Sequence, residues 1–307
     1  MEEQVARFRA DLEALIGGAP EKLGVAVSGG PDSLALLLLA ASAWPGRIAA
    51  ATVDHGLRPE SAAEAAFVAR VCAELGVPHR TLRAEMAATA NLQANARERR
   101  YALLADWLAE IDAAFVATAH HLDDQAETML MRLVRGAGLA GLSGIRAVNP
   151  PVVRPLLGWR REELAAIVRA AGLAALLDPS NEDPRFDRTR VRRRLAEAGW
   201  LDPTALARSA GALAEAEQAV EWMTERLWDE RVEAAPELCT LDPAGLPAEL
   251  RRRLVVGILS EMSGGAPRGE EVARLLATLA AGGTATLAGI KCAGGERWRF
   301  TPAPPRR

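Results

Sequence analysis

Along the first two hundred positions, short and continuously apolar runs alternate with longer segments in which apolar side chains recur every three or four residues. Val25-Ala26-Val27 reads as a buried strand that breaks at Ser28-Gly29-Gly30 and gives way to an apolar helix starting near Asp32. Strands are then predicted over 48–53, 78–82, 114–118 and 152–157, with helices over 61–75 and 123–135. Strands that are apolar throughout, rather than at every second residue, are buried on both faces. Alternating with helices, they predict an α/β fold: a Rossmann-like parallel sheet covered by helices on both sides. Ligands of such open sheets sit beyond the carboxyl ends of the strands. Three polar clusters fall there: Ser28-Gly29-Gly30, Asp54-His55-Gly56, and His120-His121 through Asp124.

Past about Leu201 the texture changes. Residues 204–231 predict one long Ala-, Glu- and Arg-rich helix, a connecting arm, and Pro236 and Pro243 then open a smaller α+β unit. That unit is predicted to hold helices over 247–262 and 267–280 and a hairpin over 284–301 turning at Gly294-Gly295. The expected organisation is a catalytic domain 1–203, an arm 204–235 and a C-terminal domain 236–307.

Bulk properties narrow the class. Half of the 307 residues are apolar, enough for a large core, and the net charge of −3 provides no global attraction for nucleic acid. The longest apolar run, 34–41, is too short to span a bilayer, and the first residues lack the pattern of a secretory signal. Cys72, Cys239 and Cys292 are too few and scattered for a disulfide framework or metal cluster, so a reducing cytoplasm without membrane attachment is expected. Oligomers are compatible with all of this.

The Ser-Gly-Gly loop is suited to gripping phosphate. Adjacent glycines let backbone N–H groups close on an anion, and the helix behind aims its positive end at the same point. Ser28 and Ser33 add hydroxyls. The chain has only two lysines, Lys22 and Lys291, and no G-x-x-x-x-G-K-[ST] pattern, so phosphate charge must be met by backbone, arginine and metal. The alternative is a tight turn. On the helix after His120-His121, Asp124, Glu127 and Thr128 share a face and could hold magnesium between phosphates, or could cap the helix. Asp54-His55-Gly56 also reads as a polar turn, and residues 91–101 as a helix with a solvated charged face. The run from Arg185 to Arg194 is a local basic patch suited to an RNA loop, unless its arginines pair with nearby acids.

Ser28 to Ser33 resembles the PP-loop of the ATP pyrophosphatases. Taken with Val53 to Arg58, Ala96-Arg97-Glu98, Thr118 to His121, Asp123 to Thr128, Arg135-Gly136, Arg154 to Leu157 and Asp178-Pro179-Ser180-Asn181, the chain resembles the tRNA(Ile)-lysidine synthetases. Thr189 stands where that family usually has Asn. The resemblance covers about two thirds of the chain and implies that ATP adenylates the wobble cytidine of a tRNA(Ile) with anticodon CAU. The ε-amine of free L-lysine then displaces AMP to leave lysidine.

It also implies a division of labour. Ser28, Gly29, Gly30, Pro31, Asp32, Ser33 and Asp54 would bind the nucleotide, with Asp32 and Asp124 near Mg2+. Asp124, with His120 or His121 beside it and His120 the candidate, would orient or deprotonate the lysine amine, whose pKa is about 10.4 in water. Arg97 would approach the cytidine, and Arg188, Arg190 and Arg192 the RNA. Competing readings are a tRNA thiolase, which needs site cysteines, a small-molecule amidotransferase, and an RNA-binding module without chemistry.

Overall fold

The structure, a computed structural model, describes residues 1–54, 56, 61–84, 92–176, 187–235, 237–265, 267 and 269–304, with the backbone alone for 92–97. It separates into two compact units, Met1–Ala214 and Glu215–Arg307.

The first unit opens on helix α1 (Glu2–Ile16), closed by Gly17 in the left-handed region. Then follow β1 (Leu23–Ala26), α2 (Pro31–Ala43), β2 (Ile48–Asp54), α3 (Ser61–Glu74), β3 (His79–Arg83), α4 (Leu92–Glu110), β4 (Val116–Ala117) and α5 (Leu122–Val134). A short α6 (Leu139–Leu142) leads to the two-residue strands β5 (Val148–Asn149) and β6 (Val152–Val153), then α7 (Arg161–Ala170) and α8 (Asp187–Glu197). The strands make one sheet in the order β3-β2-β1-β4-β6-β5, parallel except for the edge strand β5.

Period-two alternation sorts the strand side chains onto two cores. Val25, Ile48, Ala50, Ala117 and Val153 face a core shared with α1, α2, α3 and α7. Ala26, Ala49, Ala51, Val116 and Val152 face Leu104, Trp107 and Leu108 of α4. Gly24 is needed for that second contact: a Cβ there would stand 2.8 Å from both Trp107 and Leu108. The doubly covered parallel sheet expected from the sequence is present, with two strands shorter than predicted. The fourth covers only 116–117 and the fifth only 152–153.

The long helix α9 (Pro203–Arg231) carries residues of both units. Residues 232–235, read from sequence as the end of an arm, instead form β7 (Val232–Ala235), paired with β8 (Leu238–Leu241). Helices α10 (Ala248–Ser263) and α11 (Gly269–Ala280) precede β9 (Thr284–Leu287), β10 (Ile290–Ala293) and β11 (Trp298–Pro302). The sheet is antiparallel, in the order β7-β8-β11-β10-β9. The single hairpin predicted over 284–301 is therefore a three-strand meander, with a first turn at Ala288-Gly289, both at positive φ. Cys239, Leu241, Ile290, Cys292, Trp298 and Phe300 alternate onto one face and pack on α10 and α11. Buried Glu217 meets Arg253 through two hydrogen bonds of 2.8 and 2.7 Å.

Candidate active site

At the carboxyl end of β1 the backbone leaves the sheet through Ser28-Gly29-Gly30. Gly29 sits at φ 84, and a Cβ there would come within 2.6 Å of Leu176. Gly29 is fixed from behind, since its carbonyl accepts the Leu176 N–H at 3.0 Å. Ser33 organises the loop from the first turn of α2: its Oγ accepts the Ser28 N–H at 3.1 Å and donates to the Gly30 carbonyl at 3.0 Å. Ser28 Oγ lies 3.2 Å from Ser33 Oγ. Gly30 caps α2 in an extended conformation with Pro31 behind it, so the helix begins with unsatisfied N–H groups aimed out of the loop. Asp32 stands in that first turn.

The second component is the start of α5. His121 is 1% exposed and lies among three carboxylates. Its Nε2 is 3.5 Å from Asp32 Oδ2 and 3.6 Å from Asp124 Oδ2, and its Nδ1 is 3.6 Å from Asp123 Oδ2. Burial pulls the imidazole pKa down, but the contacts with Asp123 and Asp32 and the charge of Asp124 outweigh it and raise the value to about 9. The raised pKa favours the imidazolium, and the ring joins the first turn of α2 to α5. Of the two histidines that the sequence offers, the structure puts His120 Nδ1 3.1 Å from Thr118 Oγ1 and His121 between the acids. The capping alternative proves partly right, because Asp124 Oδ2 accepts the His121 N–H at 3.1 Å.

Arginines from two distant segments close the cluster. Glu127 is 1% exposed and accepts from Arg161 at 3.2 Å, Arg188 at 2.9 Å and Arg192 at 2.7 Å. Burial would raise the Glu127 pKa, but Arg192 and Arg188 hold it below the usual carboxylate range. Arg188 also donates to Asp124 Oδ1 at 3.1 Å. Asp123 accepts the Arg161 N–H at 2.8 Å and pairs with Arg160 at 3.3 Å. Its pKa is likewise driven down against the effect of burial, by His121, that N–H and Arg160.

Arg188 and Arg192, expected on an RNA surface, therefore turn inward onto the acids of α5, four residues apart on α8. Arg190 is exposed and pairs with Asp187. The network of Glu127 with three arginines realises the alternative in which the basic run pairs with acids; that those acids would be Asp124 and Glu127 of α5 had no signal in the sequence.

Asp54, at the end of β2, accepts the Gly56 N–H at 2.9 Å, a turn at the same sheet edge. His55, the Arg97 side chain, Asp178 to Asn181, and Arg185 lie outside the described residues. For magnesium, Asp32 fits, because its Oδ1 is buried and has no hydrogen-bond partner. Asp124 fits less well, since both of its oxygens already accept hydrogen bonds. Cys72 sits in the sheet core, where burial pushes its thiol up to about 11, so it offers no sulfur-transfer chemistry.

Residues 1–198 match the family model of the PP-loop domain, which sets the class of protein that this loop and sheet define. Two curated relatives extend the match over nearly the whole chain. The tRNA(Ile)-lysidine synthase of Novosphingobium aromaticivorans is 49% identical, covering 98% of this chain and 94% of that protein. That of Zymomonas mobilis is 46% identical, covering 93% and 90%. The chain belongs to the tRNA(Ile)-lysidine synthase family. Among solved structures, the U34-tRNA thiolase NcsA of Methanococcus maripaludis has a TM-score of 0.58 at 20% identity, covering 70% of this chain and 78% of that one, a likeness of fold alone.

Proposed function

We propose that this protein joins L-lysine to the wobble cytidine of a tRNA(Ile) with anticodon CAU, at the expense of ATP. The observation that carries the reading is its near-full-length likeness to lysidine synthases. The site geometry suits two successive displacements. In the first, cytidine O2 attacks the α-phosphorus of ATP and pyrophosphate leaves. The N–H groups of the Ser28–Ser33 loop and the first turn of α2 face the phosphates, and transition-state charge falls on these fixed dipoles. Magnesium, when bound, supplies charge neutralisation between phosphate oxygens, and Asp32 is the side chain suited to hold it.

In the second step the lysine ε-amine attacks C2, the C–N bond forms, and the C–O bond breaks with departure of AMP. Asp124 is the acid for the ammonium group, and His120, held against Thr118 at the end of β4, is the imidazole assigned to take a proton. His121, already charged, holds Asp32 and Asp124 in place. Arg97 contacts the cytidine, and the C-terminal unit adds tRNA contacts. The test incubates the protein with ATP, L-lysine and a CAU-anticodon transcript and weighs the digested nucleosides: lysidine is expected, and unmodified cytidine alongside a folded protein overturns the reading.

A further inference from the structure

The acid cluster occupies one face of α8 and leaves the other in water. Arg193 and Arg194 have side chains 64% and 79% exposed. Just after the helix, Trp200 is 82% exposed. The turn that presents the indole is closed by backbone bonds of 2.9 Å, Ala198 N–H to Arg194 and Leu201 N–H to Ala198. Toward α5 the same side of the helix continues through Arg190 and Arg135, both paired with Asp187. The acids here, Asp187 and Glu197, are each shared between two arginines. The face thus has a positive surplus on a chain whose net charge is negative.

We infer that Trp200, with Arg193 and Arg194, is an RNA-contacting surface of the catalytic unit, on which an unpaired base of the substrate stacks while the arginines meet its flanking phosphates. The inference rests on the reading of the protein as a tRNA-modifying enzyme and adds where on this unit the RNA lies. A tryptophan left bare in water forgoes the burial of a large apolar surface, and unstacked bases are the partners whose flat faces recover it without sequence demands. The surrounding charge selects a polyanion. Arginine meets phosphate with its planar fork and can also stack, so the residue types agree with each other.

Full-length protein settles it with tRNA-binding titrations across a salt series for Trp200→Ala, Trp200→Phe, Trp200→Leu and the double variant Arg193→Ala/Arg194→Ala. Trp200→Ala is expected to weaken tRNA binding about tenfold, with ATP affinity unchanged. Trp200→Phe should keep most of the affinity, and Trp200→Leu should lose as much as alanine. The double variant should flatten the salt dependence by roughly 0.7 for each lost phosphate contact. Lysidine formation should show a raised KM for tRNA and an unchanged kcat. If the variants bind tRNA as the wild type does while the wild type makes lysidine, the surface is overturned and the enzymatic reading stands. Leucine serving as well as phenylalanine would point to an apolar protein partner and overturn base stacking. A folded wild type that neither binds nor modifies tRNA defeats both.

Discussion

Asp32 and His121 carry opposite charges into one small volume, and each can be tested separately. The buried Oδ1 of Asp32 has no hydrogen-bond partner among the described residues, which fits the proposed role of meeting a ligand during turnover. Asp32→Asn should fold with a melting temperature lowered by the lost His121 contact, and lose at least about a hundredfold in turnover, the usual scale for removing one charge-stabilising group. Melting curves with single-turnover assays check this; near-normal rates would assign Asp32 a purely structural role. His121 has a folded-state pKa of about 9, above its ordinary value of 6.5. Its charged contacts therefore stabilise the fold fully below about pH 6.5, and that contribution is lost as pH rises through about 9. In metal-free protein, stability should fall by a few kcal/mol, on the order of 1.4 kcal/mol per unit of pKa displacement, across that interval. His121→Gln should flatten the dependence, and equal slopes in the two proteins would contradict the charged imidazole.

Helices α5 and α8 are held together by opposite charges, which makes α8 a structural strut on one side. Removing Arg188 or Arg192 strips Glu127 of one of three cationic partners in a buried place. Unpairing a fully buried ion pair costs about 3–5 kcal/mol. These guanidinium groups are 40% and 34% exposed, so roughly 1–3 kcal/mol is expected for each alanine variant. Denaturant titration measures that loss, and if pairing with Glu127 is their whole role the salt slope of tRNA binding should stay as in the wild type. The inward turn of these arginines was not legible in the sequence. An arginine-rich helix shows its spacing, but its inner face is set by acids more than sixty residues away. The strand–loop–helix around Ser28 was legible because its glycines, apolar strand and helix start are all local. His121 could not be told from His120 for the same reason that α8 misled: both leave β4, and only the position of α2 decides which meets Asp32. The β7–β8 hairpin escaped notice because its exposed Val232–Ala235 strand carries little apolar signal, and the Ala288-Gly289 turn because alanine rarely takes positive φ.

Across the whole chain, the distribution of lysine bears on which phosphate bond the loop is suited to see cut. Lys22 precedes β1, at the end of the sheet opposite the loop, and Lys291 lies in β10 of the other unit. The loop and α2 therefore carry no lysine of the kind with which a Walker-type loop draws charge onto the β- and γ-phosphates when it transfers the γ-phosphoryl group. The grip proposed above rests on the free N–H groups of the glycines and of the first turn of α2, which are suited to hold pyrophosphate as a leaving group as well as within ATP. The acids at the same sheet edge, Asp32 in the first turn of α2 and Asp124 on α5, are joined through His121. With tRNA and lysine present, ATP should yield AMP and pyrophosphate in amounts equal to the lysidine made. Chromatographic separation of the nucleotide products checks this directly: ADP as the main product would show that the loop serves γ-transfer, and AMP in excess of lysidine would show an adenylate lost to water before lysine arrives.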